Sequence, residues 1–154
     1  MYGELFGGIY PGEVSHTKYP VQSAIYYSPK MEFMVFDIAY VTGPGQASYL
    51  AYEKVVELAL SHKVLHARPL FISASGGVSE CLAYKPRFVT QVPAQLGYKA
   101  PTVMPKDNPE NLAEGIVIKP WDIETKPGEG RPIMKNKIVE FCETMGEIAP
   151  KGGK

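Results

Sequence analysis

The sequence has few of the features that mark membrane, disulfide-rich or nucleic-acid-coating proteins. No apolar stretch in it approaches the ~18 residues of a membrane span. The two cysteines, Cys81 and Cys142, are too few for a disulfide scaffold and lack the spacing of a metal site, so we expect both to be reduced. Sixteen basic residues balance sixteen acidic ones, which excludes a protein that coats nucleic acid through bulk positive charge.

Glycine and proline, by contrast, are abundant. The 154 residues suit a single domain and include 15 glycines and 14 prolines, which favours many turns and argues against a helical bundle. Candidate strands and helices are mixed without a βαβ rhythm, so we expect an α+β fold, mainly antiparallel sheet with flanking helices. The predicted elements are strands at 31–41, 69–73, 115–119 and 133–138, helices at 47–62 (N-capped by Ser48) and 79–84, and an exposed loop at 98–112.

Charge is distributed unevenly along the chain. Residues 63–106 carry six lysines and arginines against the single acid Glu80, whereas both flanking segments carry more acids than bases. Such a segment is a candidate surface for a polyanion. An ordinary solvated face that happens to be basic is an equally weighted alternative.

Two segments in the first third of the chain carry candidate binding residues. In the segment 3–8, Glu4 is flanked by glycines; the glycines allow a close backbone approach, and the carboxylate can accept hydrogen bonds from sugar hydroxyls. In the segment 33–38, alternation places Phe36 on one strand face, where an aromatic ring can stack on a base. Taken alone, Phe36 is more typical of a core residue.

Two further segments lie near the end of the chain. Glu114 follows the exposed loop and precedes an apolar strand, a position where a carboxylate can hold hydrated Mg²⁺. Lys135 and Lys137 are two residues apart on a predicted strand, so both point to the same face. Two such ammonium groups suggest a phosphate between them, and an edge strand protected by lysines is the alternative.

Together and in this order, the four segments resemble the motifs of the ATP-dependent RNA ligases, within the covalent nucleotidyltransferase superfamily. Gly-Glu-Leu-Phe-Gly-Gly resembles motif III, Phe-Met-Val-Phe-Asp-Ile motif IIIa, Glu-Gly-Ile-Val-Ile-Lys-Pro motif IV and Lys-Asn-Lys motif V. The first of these strings, with Tyr-Tyr-Ser-Pro before motif IIIa, is most similar to the branch of phage RNA ligases and RNA-editing ligases. The likeness runs from Tyr2 to about Phe141.

The resemblance implies a role for each matching residue. Glu4 would contact the ribose, Phe36 would stack on adenine, and Glu114 would be associated with the metal and its water. Lys135 and Lys137 would contact the nucleotide phosphates. These roles imply ATP and Mg²⁺ as cofactors and RNA ends, in a nicked or bridged duplex, as the partner that is joined.

The resemblance also implies a domain organisation and one more candidate. Residues 1–142 would be a partial adenylation domain of the nucleotidyltransferase, ATP-grasp-like type, followed by a polar tail at 143–154. Lys119, at the end of motif IV, is a further nucleotide-binding candidate, with capping of its strand as the alternative. For the location in the cell, resemblance to RNA-editing ligases would imply mitochondria, whereas the expectation of reduced cysteines favours the cytoplasm.

One element of the family pattern is missing. The family's nucleophile is a lysine in a Lys-x-x-Gly motif upstream of motif III, and none of the thirteen lysines has a glycine three positions on. We therefore expect an N-terminal segment or a partner chain to complete the domain, and the 154 residues alone to be inactive. A non-catalytic remnant that binds nucleotide or RNA is the main alternative, and a relative of DNA ligases or capping enzymes is the third.

Overall fold

Short antiparallel strand pairs and a few helices build the described part of the chain. The computed structural model describes residues 1–141, in which six strands form three two-stranded antiparallel sheets. The strands are β1 (Tyr2–Gly7), β2 (Met31–Asp37), β3 (Ala39–Gly43), β4 (Gln46–Tyr49), β5 (Gly115–Ile118) and β6 (Met134–Lys137); the helices are α1 (Tyr52–Ser61), α2 (Val78–Leu82) and α3 (Val92–Gln95), with a 3-10 turn at Val139–Phe141. The predicted α+β class with antiparallel pairing is confirmed.

The β2 strand occupies the centre of this arrangement. On one edge it pairs with β1, with Glu4 opposite Met34. On the other edge, Val35 donates its N–H to Leu65 O at 2.9 Å and accepts the Ala67 N–H at 2.9 Å. Because both edges of β2 are covered, its side chains are held in fixed directions.

The helix that we predicted over 47–62 is wrong in its first turn. Gly45 has φ +70, in the left-handed region that glycine tolerates, and it lets the chain turn back at once into β4. Ser48 is therefore a buried strand residue opposite Tyr40 and not a helix cap. The α1 helix begins at Tyr52, after Ala51, without a side-chain cap.

Of the other predicted elements, some are confirmed and some are wrong. The run 31–41 is split into β2 and β3, and 69–73 is irregular instead of a strand. The segment 98–112 is a loop as expected, but it is not exposed throughout, because Asn108, Asn111 and Leu112 are buried. The strands predicted at 115–119 and 133–138 are confirmed as β5 and β6, and the short helix at 79–84 as α2. The predicted tail at 143–154 lies outside the described residues.

The main core forms where α1 packs on β2. Val35, Tyr52 and Val55 are buried together, and full burial of such a side chain contributes roughly 1.5–3 kcal/mol. The partly buried residues packed around them are Ile38, Leu50, Val56, Val64 and Trp121. Since Val35 precedes Phe36 and Asp37 in β2, this core fixes the strand end that carries both. Within residues 1–141, no helix is long and apolar enough to cross a membrane.

Candidate functional site

The β5–β6 pair brings two predicted residues together. Gly115 is paired with Lys137, and it has φ +147 with no room for a Cβ, which would lie 2.2 Å from the Asn136 carbonyl oxygen. This close approach places Lys137 beside the residue before Gly115, with Lys137 Nζ 3.7 Å from Glu114 Oε2. Both side chains are about one-third exposed, at 36% and 38%, so a ligand can reach them.

Glu4 is tied to the same region by Gln22. The Gln22 amide donates hydrogen bonds to Glu4 Oε1 at 3.2 Å and to the Leu5 carbonyl at 3.0 Å. Gln22 lines a groove of about 400 Å³ together with Glu114 and Lys137. The remaining lining residues are Val21, Ser23, Ala24, Ile25, Glu140 and Phe141. We call this space the carboxylate groove.

Tyr27 links the two carboxylates electrostatically. Burial raises the pKa of its hydroxyl far above the ordinary value, and the negative charges of Glu114 and Glu4 raise it further. The Tyr27 ring packs edge-on against Phe6, with ring centroids 5.5 Å apart. The Tyr27 hydroxyl is therefore neutral at ordinary pH.

Asn111 sets the position of the loop that leads to Glu114. Its side chain is buried and accepts the Tyr26 N–H at 2.8 Å while donating to the Tyr26 carbonyl at 2.9 Å. Asn111 adopts φ +52, a conformation that asparagine tolerates better than most residues. The two bonds join the segment before β5 to the segment that carries Tyr27.

A second cluster surrounds the end of β2. Asp37 is buried and its two oxygens bind two cations, with Lys119 Nζ at 3.0 Å from Oδ1 and Arg131 Nη1 at 2.6 Å from Oδ2. Lys119 also donates to the Phe36 carbonyl and lies 3.8 Å from the centre of the Tyr52 ring. Burial lowers the pKa of Lys119 despite Asp37, and it raises the pKa of Tyr52 to about 12.

The β5 strand connects the two clusters. Glu114 precedes its first residue and Lys119 follows its last, a span of about 16 Å at ~3.3 Å per residue. On the β1–β2 pair, Glu4 lies opposite Met34, and Phe36 is two residues further along the same face. The site is therefore elongated, with carboxylates and Lys137 at one end and an aromatic ring with two cations at the other.

The sequence-predicted residues divide between these two ends. Glu114 and Lys137 line the carboxylate groove and Glu4 is bonded to its lining residue Gln22, whereas Phe36 and Lys119 meet at the cluster around Asp37. Lys135 lies on β6 opposite Val117, exposed and on the same face as Lys137. None of these placements tests ligand binding, so the predicted roles remain predictions.

Four contributors to the site escaped sequence reasoning. Asp37 and Tyr27 stood within the strings that carry the resemblance, Phe-Asp-Ile and Tyr-Tyr-Ser-Pro, which was a usable signal. Gln22 and Arg131 had no such signal, because their partners Glu4 and Asp37 are 18 and 94 positions away.

The glycines that follow Glu4 have a structural explanation. Gly7 has φ +85, and a Cβ there would lie 2.3 Å from the Lys30 carbonyl oxygen. The close backbone approach that the sequence suggested is thus made by the chain itself, where β1 ends against the entry of β2.

These observations define an α+β domain with an elongated site that combines carboxylates, lysines and an aromatic ring. The RNA ligase family model matches residues 1–137, which covers all three strand pairs. The chain belongs to the RNA ligase family. No curated protein sequence matches it significantly.

Proposed function

We propose that this domain takes part in ATP-dependent joining of an RNA 5′-phosphate to a 3′-hydroxyl, through enzyme-AMP and RNA-AMP intermediates. The observation that carries the proposal is that Glu114 and Lys137 line one groove, to which the groove residue Gln22 joins Glu4 by a hydrogen bond, within a chain of the RNA ligase family. By resemblance the domain is of the phage and RNA-editing branch.

Each end of the site suits a different part of ATP. Phe36 offers an aromatic face for the adenine, and Glu4 a carboxylate for the ribose hydroxyls. Lys137 and Lys135 supply ammonium groups for the phosphates, as charge-assisted contacts. Lys119 would act on the nucleotide indirectly, because its ammonium group donates a hydrogen bond to the main-chain carbonyl of Phe36.

The groove also suits Mg²⁺ bound in the way that phosphate-transfer sites use it. In residues 1–141 no group of three or more His, Cys, Asp or Glu side chains could form a full protein cage. Mg²⁺ commonly takes one or two carboxylates together with waters and substrate phosphates, and Glu114 beside the groove fits that role. When bound there, the ion would neutralise phosphate charge, with the Lys137 ammonium group 3.7 Å from the same carboxylate.

The nucleophile must come from outside this sequence in our proposal, since no lysine in it has the Lys-x-x-Gly context. A preceding segment or a partner chain would supply it. The second candidate function is a non-catalytic module that binds nucleotide or RNA. The match to RNA ligases speaks for RNA over the DNA ligase and capping alternatives.

Calorimetric titration with ATP and Mg²⁺ tests the proposal. We expect wild-type protein to bind ATP, Glu4→Gln and Lys137→Met to bind it at least several-fold more weakly, and the exposed Lys18→Met to bind it normally. Absence of ATP binding by the wild type, or equal affinity in all variants, refutes the proposal. RNA binding without ATP binding would support the non-catalytic module.

A further inference from the structure

Three aromatic rings contact one another in a row in the segment between α1 and β5. The ring centroids of Phe71 and Tyr84 are 6.3 Å apart, with the planes tilted by 30°, and those of Tyr84 and Phe88 are 6.2 Å apart, edge to face. We call these three residues the aromatic ladder. Since such contacts favour defined ring orientations, they hold Phe71 in place although the segment 69–73 has no regular secondary structure.

The ladder is exposed at its Phe71 end. Phe71 is 47% exposed, and its neighbours in sequence, Leu70 and Ile72, are also exposed apolar residues. Tyr84 contacts the Phe71 ring from one side, so the exposed part of the ring is open to a ligand. A run of exposed apolar side chains of this kind is typical of an interaction surface.

The other end of the ladder is anchored next to the candidate site. The Phe88 carbonyl accepts the Ala113 N–H at 2.9 Å, and Ala113 is the residue before Glu114. The α2 helix also packs against β5. The aromatic ladder therefore extends from the segment that leads to Glu114 out to Phe71 at the surface.

Two cations lie next to the ladder in the sequence. Arg68 is three residues before Phe71, Lys85 directly follows Tyr84, and both of these basic side chains are exposed. Within residues 1–141, no carboxylate forms an ion pair with either of them. Their charges are therefore available to an anionic ligand.

The other charged groups near the ladder have partners within the chain. Arg87 precedes Phe88 and pairs with Glu110 and Glu140. Glu80 on α2 accepts a hydrogen bond from the Ser73 hydroxyl at 2.6 Å, which lowers the pKa of the carboxyl and keeps it ionised. Because this carboxylate offsets one of the two unpaired cations, we expect the rings to contribute more to binding than the charge does.

We propose that the aromatic ladder, with Arg68 and Lys85, binds a single-stranded stretch of RNA through a base stacked on Phe71. This inference rests on the proposed function, which identifies RNA as the nucleic acid. Aromatic rings that take bases, beside cations that take phosphates, are how proteins hold single strands. An apolar protein surface would instead leave both cations unpaired. Since bases within a duplex are already stacked on one another, the surface would select an unpaired stretch close to the ends that are joined.

Fluorescence anisotropy with labelled RNA of about ten nucleotides tests the surface. The single strand is compared with the same strand in a blunt duplex. We expect Phe71→Ala to weaken single-strand binding roughly ten-fold, from the loss of one stacked base, and to leave duplex binding and ATP binding unchanged. Phe71→Trp should bind the single strand at least as tightly as the wild type. Tyr19→Ala, which removes an exposed aromatic ring outside the ladder, is the matched control and should bind normally.

The two cations are tested by the salt dependence of single-strand binding. Arg68→Met combined with Lys85→Met should make the slope of log affinity against log salt concentration shallower by about 1.4, since each phosphate contact on a single strand contributes about 0.7. Lys18→Met, which removes an exposed lysine elsewhere, should leave the slope unchanged. An unchanged slope in the double variant rejects the phosphate contacts, and it decides against the surface if Phe71→Ala does not fold.

The remaining outcomes also overturn the surface. Single-strand affinity of Phe71→Ala equal to that of the wild type excludes the stacked base, and an equal loss for the duplex shows that unpaired bases are not recognised. If Phe71→Ala changes the oligomeric state but not RNA affinity, the exposed run is a protein interface. A wild-type protein that binds ATP but no single-stranded RNA refutes this surface alone, whereas absence of ATP binding refutes the proposed function.

Discussion

Asp37 and Lys119 form a buried ion pair, with Lys119 Nζ 3.0 Å from Asp37 Oδ1, although 82 positions separate them in the sequence. The pair joins the end of β2 to the end of β5. It therefore fixes the strand end that carries Phe36, which we predict to stack on adenine, relative to the strand that follows Glu114. Arg131 binds the second oxygen of the carboxylate. Asp37, Lys119 and Arg131 therefore stabilise the fold in addition to any role in binding.

Replacement of Lys119 by Met should destabilise the domain. Asp37 would keep only Arg131, and breaking a buried pair costs ~3–5 kcal/mol when no partner remains; with one partner left we expect about 1–3 kcal/mol. The measurement is the urea midpoint at pH 7. Lys135→Met, on the exposed face of β6, is the control and should change the free energy of unfolding by less than ~0.5 kcal/mol. Equal midpoints for the two variants would contradict a structural role for the pair.

Replacement of Lys135 or Lys137 on β6 should impair activity and leave stability nearly unchanged. In an active ligase that contains this domain, we expect Lys135→Ala or Lys137→Ala to slow nucleotidyl transfer by about ten-fold or more, since a charge-assisted contact is worth ~1.5–3 kcal/mol. The melting temperature should hardly change. Ligation rates and melting curves of the two variants, measured beside Lys119→Met, separate binding from stability. If both variants ligate RNA at the wild-type rate, the two lysines do not contact phosphate, and the alternative of an edge strand protected by lysines is correct.

Local patterns predicted the part of the fold that local residues determine. The apolar run at 116–118 and the turn residues after it identified β5 and β6. Ser48 misled the helix boundary because the turn at Gly45 pairs 46–49 with β3, and pairing outweighs the capping preference of one serine. The ion pair of Asp37 with Arg131 joins residues 94 positions apart, and no spacing rule can reveal a contact that only the tertiary fold creates.

The 154-residue protein should not label itself with AMP. None of its lysines has the Lys-x-x-Gly context, and no positioning can replace an absent nucleophile. Incubation with radiolabelled ATP and Mg²⁺, followed by a denaturing gel, should show no labelled band. A known self-adenylylating ligase serves as the positive control. A band that survives boiling would reveal a nucleophile of another kind, and Lys137→Ala and Lys135→Ala would then be the first variants to examine.

Asn111 should matter more for stability than an ordinary loop residue. Asn111→Ala removes two hydrogen bonds to the Tyr26 backbone and places alanine at φ +52, so we expect a loss of about 2–4 kcal/mol. Asn111→Gly loses the same bonds without the backbone strain, and should be roughly 1 kcal/mol more stable than Asn111→Ala. Denaturant unfolding of both variants gives the comparison. If the alanine variant is no less stable than the glycine variant, backbone strain at Asn111 is negligible.

Stability should fall steeply in alkali because buried tyrosines resist ionisation. Burial raises the pKa of Tyr52 to about 12, with a further contribution from the charge of Asp37, and burial also raises the pKa of Tyr10 and Tyr27. A group whose pKa is higher in the folded state stabilises it fully below the unfolded value of 10.0, and this stabilisation is lost as the pH rises through the folded value.

Lys119 acts in the opposite direction but in a separate pH range. Burial lowers its pKa below the ordinary 10.5, so its charged form disfavours folding, and this effect has ended once the pH exceeds 10.5. Between about pH 10.5 and 12, the tyrosines alone should therefore determine the slope. We expect Tyr52 to account for on the order of 2 kcal/mol of the loss across its titration. Urea unfolding of the wild type and of Tyr52→Phe, at several pH values in this range, measures this loss. The free energy of unfolding of the variant should fall less with rising pH. If it falls equally in both proteins, Tyr52 does not contribute.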